Sequence, residues 1–377
     1  MKYLKEFLAI WKDFQKNNGL LWATTLTYTT LFALVPLFAV ALSIFKVFGG
    51  FDEIQTTLLP IISEMLDPTH KIKVVLYLQG FFDKIHAGTM GIVGTVFFIL
   101  TFIPLFLGME TAINTIWGKE DDRSLWLKFV LYWAVTTLGP VAMVVIFTML
   151  SFFNELLPTF GRLHSLKPMM LLFIVFGMFL IYKIVPNTDV RNKPALTGAI
   201  ISGILWIIAN GFYQTYMKYA TASFTIYGSL GAIPVFLLWI YINWIVLLFG
   251  VQIARYMQYP LLRYYSGQLT PTDYFKISLK VLKLLFARKE LSVYLNENQI
   301  CQEIELPPNI ISKIINKLNS LNIIIIKGGL ILPNKTQQEI RLSDLIEIYM
   351  GNIEDIIFKE LSIDPSRLHE LKLADIE

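Results

Sequence analysis

The amino-acid sequence predicts an all-α polytopic membrane protein, with six transmembrane helices and a small cytoplasmic winged-helix-like domain behind them. Three observations carry that reading. Hydrophobic residues form 55% of the chain and charged residues only 16%, against about 25% charged in an average soluble domain. Apolar runs recur at the length a bilayer demands, about 20 residues for a hydrocarbon core of about 30 Å. Past residue 260 the pattern turns into shorter, polar amphipathic segments. Residues 1–260 are therefore expected to form the membrane domain, and residues 261–377 the cytoplasmic module.

The net charge of +4 is unevenly spread. Residues 1–255 hold 18 Lys and Arg against 13 Asp and Glu, and residues 256–377 hold 14 against 15. The tail is thus not a basic nucleic-acid arm. A single cysteine, Cys301, excludes an intrachain disulfide framework. The N-terminus alternates charged and apolar residues without a small-residue cleavage site, which describes an amphipathic lead-in helix rather than a signal peptide.

Residues 1–18 set Phe7, Ile10, Trp11 and Phe14 on one helix face, beside Lys2, Lys5, Lys12 and Lys16. That is the pattern of an interfacial helix on the cytoplasmic side. The first span covers 21–48, and its threonines can bond back to helix carbonyls. Pro36 removes a donor and should kink it. Residues 49–87 mix acids and lysines with a helical apolar stripe, and read as an amphipathic outer segment. The second span covers 88–109, with Gly88, Gly91 and Gly94 for close packing and Pro104 near its end. Glu110 and Asn114 follow, at or just past the membrane boundary. The third span covers 129–153 and contains Pro140. The fourth covers 168–185, the fifth 195–216 and the sixth 230–256.

The stretch from Trp206 to Arg255 holds the densest polar pattern. Trp206, Asn210 and Gln214 step by four, as do Trp239 and Asn243. Residues four apart share a helix face, and an amide in hydrocarbon is costly without a partner. An aromatic link, 219–231, is expected between the two helices. The buried polar set, and so the candidate substrate path, is Tyr28, Glu110, Asn114, Asn210, Tyr213, Gln214, Tyr227, Asn243 and Gln252. The kink candidates are Pro36, Pro104, Pro140 and Pro234. The competing reading of each polar residue is glue between helices.

Twelve Lys and Arg fall on one set of flanks and seven on the other, which places both termini in the cytoplasm. In the tail, Leu279, Leu282, Leu285 and Phe286 mark one helix, 298–305 a second and 307–321 a third. Residues 323–332 read as two strands around Lys327-Gly328-Gly329, and 344–360 as a last helix. This is the order of a winged helix. Its third helix carries only Lys313 and Lys317, too little charge to hold DNA by phosphate contacts, so a protein partner is the favoured use.

Four segments carry a family resemblance: TLTYTTLFALVPLF (25–38), ETAINTIWG (110–118), VPN with PALTGAIISGILW (185–206), and YGSLGAIPVFLLWIYINWIVLLFGVQIAR (227–255). In this order they resemble the YihY/BrkB family of bacterial inner-membrane proteins, long labelled ribonuclease BN. The resemblance implies a six-span bundle in the inner membrane with both termini in the cytoplasm. It also suggests envelope lipid or lipopolysaccharide traffic. Where the family often shows Gly-Ala-Glu near the end of the last span, this chain has Gly250, Val251 and Gln252, so no carboxylate titrates there.

The ribonuclease label is the least favoured function. His70, His86, His164 and His369 are scattered, Asp121 and Asp122 are adjacent and do not converge, and no phosphate loop is present. No catalytic residue, metal or cofactor is expected. The favoured function is handling or transport of lipid, lipid-linked glycan or small solute. The alternative is a non-transporting envelope scaffold or sensor that acts through its tail on a cytoplasmic protein. Membrane lipids are the expected surroundings, and the oligomeric state is open.

Overall fold

The computed structural model describes residues 2–47, 87–119, 126, 166–227, 232–263, 269–350 and 372–373. The outer segment at 49–86, the third span with Pro140, the loop at 228–231 and the helix beyond residue 350 lie outside the described residues. The described chain is mostly helical. Its membrane-region helices are α1 (Lys2–Lys16), α2 (Gly19–Val47), α3 (Ala87–Trp117), α4 (Leu166–Ile184), α5 (Asn192–Tyr227) and α6 (Ala232–Gln258). Among the described residues, four segments are long and apolar enough to cross a membrane: Gly19–Leu37, Ile99–Trp117, Asn192–Met217 and Pro234–Gln258. A shorter apolar stretch occupies Leu171–Ile184.

Two helices run further than their composition suggests. α3 does not stop near Pro104 and Gly108 but continues through Glu110 and Asn114 to Trp117. Pro104 removes one donor inside the helix, while a Cβ on Gly108 would lie 3.3 Å from Leu26 Cδ2, so this glycine serves close packing with α2. The true stop is Gly118 at φ +71. Its N–H donates to Thr115 O at 3.0 Å, and the Lys119 N–H to Asn114 O at 3.0 Å. This left-handed cap closes the last carbonyls of the helix. α5 likewise extends through the expected aromatic link as far as Tyr227, because no proline or glycine interrupts residues 212–227. Pro36 and Pro104 lie inside helices. Pro234 stands in the first turn of α6, where its missing N–H breaks no intrahelical bond, so it is not a kink.

The chain packs as two units. One comprises Asn18–Ala112 and Trp206–Val246, and holds α2, most of α3 and the facing parts of α5 and α6. The threonines of α2 bond back as expected: Thr24, Thr25, Thr27, Thr29 and Thr30 each donate to the carbonyl four residues earlier. Thr30 Oγ1 also accepts from Trp244 Nε1 at 3.0 Å.

The other unit comprises Met1–Asn17, Ile113–Leu205 and Leu247–Glu377. Here the aromatic face of α1 finds a protein partner: Phe7, Trp11 and Phe14 surround Phe249 with ring centroids 5.6–5.7 Å away. In the same unit α5 and α6 approach closely. A Cβ on Gly198 would lie 2.6 Å from Gly250 O and 3.0 Å from Ala254 Cβ. One on Gly250 would lie 1.8 Å from Ser202 Oγ and 2.2 Å from Tyr182 Oη. The Tyr182 hydroxyl fills the space that Gly250 leaves, bonding Ser202 Oγ at 2.9 Å and the Leu247 carbonyl at 2.8 Å.

The tail begins after a 3-10 turn, Pro260–Arg263, and contains α7 (Pro271–Glu290), β1 (Leu295–Asn296), α8 (Glu297–Ile304), α9 (Pro308–Ser320), β2 (Ile324–Lys327), β3 (Leu330–Pro333) and α10 (Leu342–Met350). Thr270 and Asp273 form a capping box before α7, and Asn296 and Gln299 another before α8. The strands form an antiparallel sheet in the order β1-β3-β2, with Ile326 opposite Ile331 and Leu295 opposite Ile331 on the other side. Gly328 at φ +58 and Gly329 at φ +78 make the hairpin turn, where two positive φ angles demand glycine. Leu282, Leu285 and Phe286 of α7 and Ile311, Ile314, Ile315 and Leu318 of α9 are buried, which is why these helices pack together with the sheet.

Gly250→Ala is expected to lower stability by about 1–3 kcal/mol through overpacking. The thermal midpoint of the detergent-purified protein checks it; an unchanged midpoint would show that Tyr182 and Ser202 move aside freely.

Candidate functional site

In the first unit, the two Trp-Asn pairs of α5 and α6 face each other and close a ring of four hydrogen bonds. Trp206 Nε1 donates to Asn243 Oδ1 at 2.6 Å, and Asn243 Nδ2 to the Trp239 carbonyl at 2.7 Å. Trp239 Nε1 donates to Asn210 Oδ1 at 3.2 Å, and Asn210 Nδ2 to the Trp206 carbonyl at 2.9 Å. The ring exists because each helix carries Trp and Asn four apart and the helices run antiparallel. Each asparagine thus satisfies its own oxygen and one of its N–H groups inside the protein. Half-buried Tyr213 packs on the same frame, its ring 6.1 Å from Trp239.

In the second unit, polar side chains gather where α3, α6 and the 185–191 loop end. Asn114 Oδ1 accepts the Asn187 N–H at 2.7 Å. Gln258 Oε1 accepts the Arg191 N–H at 2.9 Å, and Gln258 Nε2 donates to Asp189 O at 3.0 Å. Trp117 meets Tyr259 edge to face, with centroids 6.0 Å apart. Burial, and then the nearby Cys301, pushes the Tyr259 phenol up to about 12.

The tail reaches these same ends. Glu297 Oε1 takes a salt bridge from Lys119 Nζ at 3.2 Å and a hydrogen bond from Ser312 Oγ at 2.6 Å. Gln302 Nε2 donates to Asp189 Oδ2 at 2.8 Å. Asn309, in the first turn of α9, lies so near Gly118 that a Cβ there would meet its Oδ1 at 2.7 Å. The lysines of α9 are occupied: Lys313 sits 4.7 Å over the Tyr274 ring and Lys317 5.3 Å over that of Tyr349.

The structure gives the sequence-derived path residues different surroundings. Asn210 and Asn243 close the ring. Gln252 is buried and accepts from Asn17 Nδ2 at 3.0 Å, so it anchors the end of α1. Asn114 holds the 185–191 loop. Glu110 is buried, at 1% exposure, within the candidate span Ile99–Trp117. Tyr28 (56% exposed) and Gln214 lie on the surface and not in the buried set. The side chain of Tyr227 lies outside the described residues. Tyr182, Arg255 and Gln258 are buried polar groups that the sequence pattern did not single out, although Arg255 and Gln258 follow Gln252 in steps of three, a spacing that puts them on one helix face. No group of three or more His, Cys, Asp or Glu able to hold a metal occurs among the described residues.

Comparison with known proteins places this architecture. The family of virulence factor BrkB matches residues 10–269. A UPF0761 membrane protein of Methylibium petroleiphilum is 31% identical over 76% of this chain and 70% of its own length. One from Haemophilus influenzae is 32% identical over 67% of this chain and 94% of its own length. One from Chromohalobacter salexigens is 30% identical over 67% of this chain, and the match spans only 63% of that protein. No solved structure matches.

Two outcomes are expected of this geometry. A double-mutant cycle on Trp206→Phe and Asn243→Leu should give a coupling of about 0.6 kcal/mol, with about 1.7 as a ceiling; additive effects would dissolve the ring. Burial, and then Glu297, pushes the Cys301 thiol up to about 12, so the native protein should resist iodoacetamide at neutral pH while the denatured chain reacts. Equal alkylation rates would show the tail core open.

Proposed function

This chain belongs to the family of virulence factor BrkB, and from that premise we propose that it is a multi-pass protein of a bacterial inner membrane that handles lipid, lipid-linked glycan or a small solute. The observation that carries this is Glu110, an acid buried at 1% exposure within a candidate span. Ionisable groups at membrane depth are costly and mark functional positions. Asn210, Asn243 and Gln252 of α5 and α6 are bonded to other side chains and are read as glue between elements. In this reading the bundle has six spans. The stretch at 129–153 supplies one and α4 another, and both termini lie in the cytoplasm. No chemistry of bond cleavage is assigned.

A second reading is favoured by the tail. Glu297 and Gln302 bond to Lys119 and Asp189, so a tail-dependent scaffold or sensor would have a built link to the helix ends. The tail is read as a winged-helix-like module, and its third helix has its lysines engaged over tyrosines. A protein partner therefore suits it better than nucleic acid.

The test is transfer of a fluorescent phospholipid across vesicles holding the purified protein. Glu110→Gln should reduce transfer about tenfold or more while the thermal midpoint holds, and deletion of residues 270–377 should leave transfer measurable. Transfer unchanged in Glu110→Gln would end the pathway reading. Transfer lost only with the tail would favour the scaffold or sensor.

A further inference from the structure

A buried arginine whose Nε finds no acceptor calls for an explanation. Arg255 lies in the last turn of α6 at 5% exposure, and its Nε has no hydrogen-bond partner. Among the described residues it forms no ion pair; Asp13 of α1 acts on it only through space. Two more donors nearby are likewise unused, Asn114 Nδ2 and Trp117 Nε1, on residues 1% and 0% exposed. They stand three apart on α3, on one helix face. Asn114 Oδ1 is already spent on the Asn187 N–H, which leaves the amino group over.

Tyr259 links two of these residues, Trp117 and Arg255. Its ring meets Trp117 at 6.0 Å. Its N–H donates to Arg255 O at 3.0 Å, one turn away, and the Arg255 charge acts on its hydroxyl. Depth adds a second indication. Trp117 ends one candidate span, and Arg255 lies three residues from the end of another. Both thus stand at the level of the polar headgroup layer.

We propose that Arg255, Asn114 and Trp117 form a binding site for a phosphate group, carried by a lipid headgroup or free in solution. The guanidinium fork matches phosphate oxygens and supplies the opposite charge. The amide and the indole add two neutral donors. The lipid form of the site rests on the lipid-handling reading above; the phosphate site itself does not.

The test uses the full chain in a phosphate-free maltoside detergent, titrated separately with inorganic phosphate and with phosphatidic acid. Bound probe is read by native mass spectrometry and by the thermal midpoint. The wild type should bind, and Arg255→Gln should weaken binding about tenfold or more. Trp117→Phe keeps the ring against Tyr259 and removes only the N–H, and should weaken binding about threefold to tenfold. Should Arg255→Gln fail to fold, Trp117→Phe decides alone. Binding of phosphatidic acid only would identify a headgroup site, and equal binding of both probes a free-phosphate site. No binding of either probe to the wild type, or binding unchanged in the variants, would overturn the proposal. Neither outcome depends on Glu110, so failure here and failure of lipid transfer are read separately.

Discussion

In hydrocarbon no water stands ready to accept a hydrogen bond, so each polar side chain of a span must find its partner in the protein. That constraint shapes the described part of this chain. The threonines of α2 bond back to their own helix. The asparagines of α5 and α6 bond the opposite tryptophans. Tyr182 closes on Ser202 and a main-chain carbonyl in the space that Gly250 leaves empty. Apolar contact alone does not choose a helix's neighbour, since lipid tails would serve a leucine as well as another leucine would. Small residues and matched polar groups set which helix lies beside which.

The same reasoning separates glue from function. An amide whose oxygen and amino group are both engaged cannot take a substrate without breaking what holds it, at about 1–3 kcal/mol for a buried group left unsatisfied. Asn210 and Asn243 fall in that class, and the Gln252 oxygen is held by Asn17. What remains is a set of donors, Arg255 Nε, Asn114 Nδ2 and Trp117 Nε1, that the protein itself leaves unmatched. Such groups persist where something other than stability keeps them.

The tail shows how a familiar order of elements takes on a local role. Capping boxes and a glycine turn define its helices and hairpin from within. Its link to the helix ends rests on a partly exposed salt bridge and two close polar contacts. A partly exposed ion pair contributes at most about 1 kcal/mol, so such contacts fix orientation more than they add stability. The lysines of α9, drawn over Tyr274 and Tyr349, make that helix a packing element.

Much of this was legible in the residues. Hydropathy located the four candidate spans of the described residues, because transfer of a helix into lipid depends on composition and length. Apolar spacing marked the tail helices and Gly328-Gly329 the hairpin, because those signals act within a few residues of chain. The Trp-Asn spacing marked a shared helix face, and the four segments of resemblance named the family. Where α3 stopped was not legible. Pro104 and Gly108 looked like an ending, yet a membrane helix tolerates both when a neighbour packs on the gap, and only the contact with Leu26 showed that one does. Nor could spacing say which polar residues were already satisfied. The pairing of Gln252 with Asn17 spans 235 residues, and that of Asn114 with Asn187 spans 73. A hydrogen bond is decided by separation in space, and that separation exists only once the helices have packed.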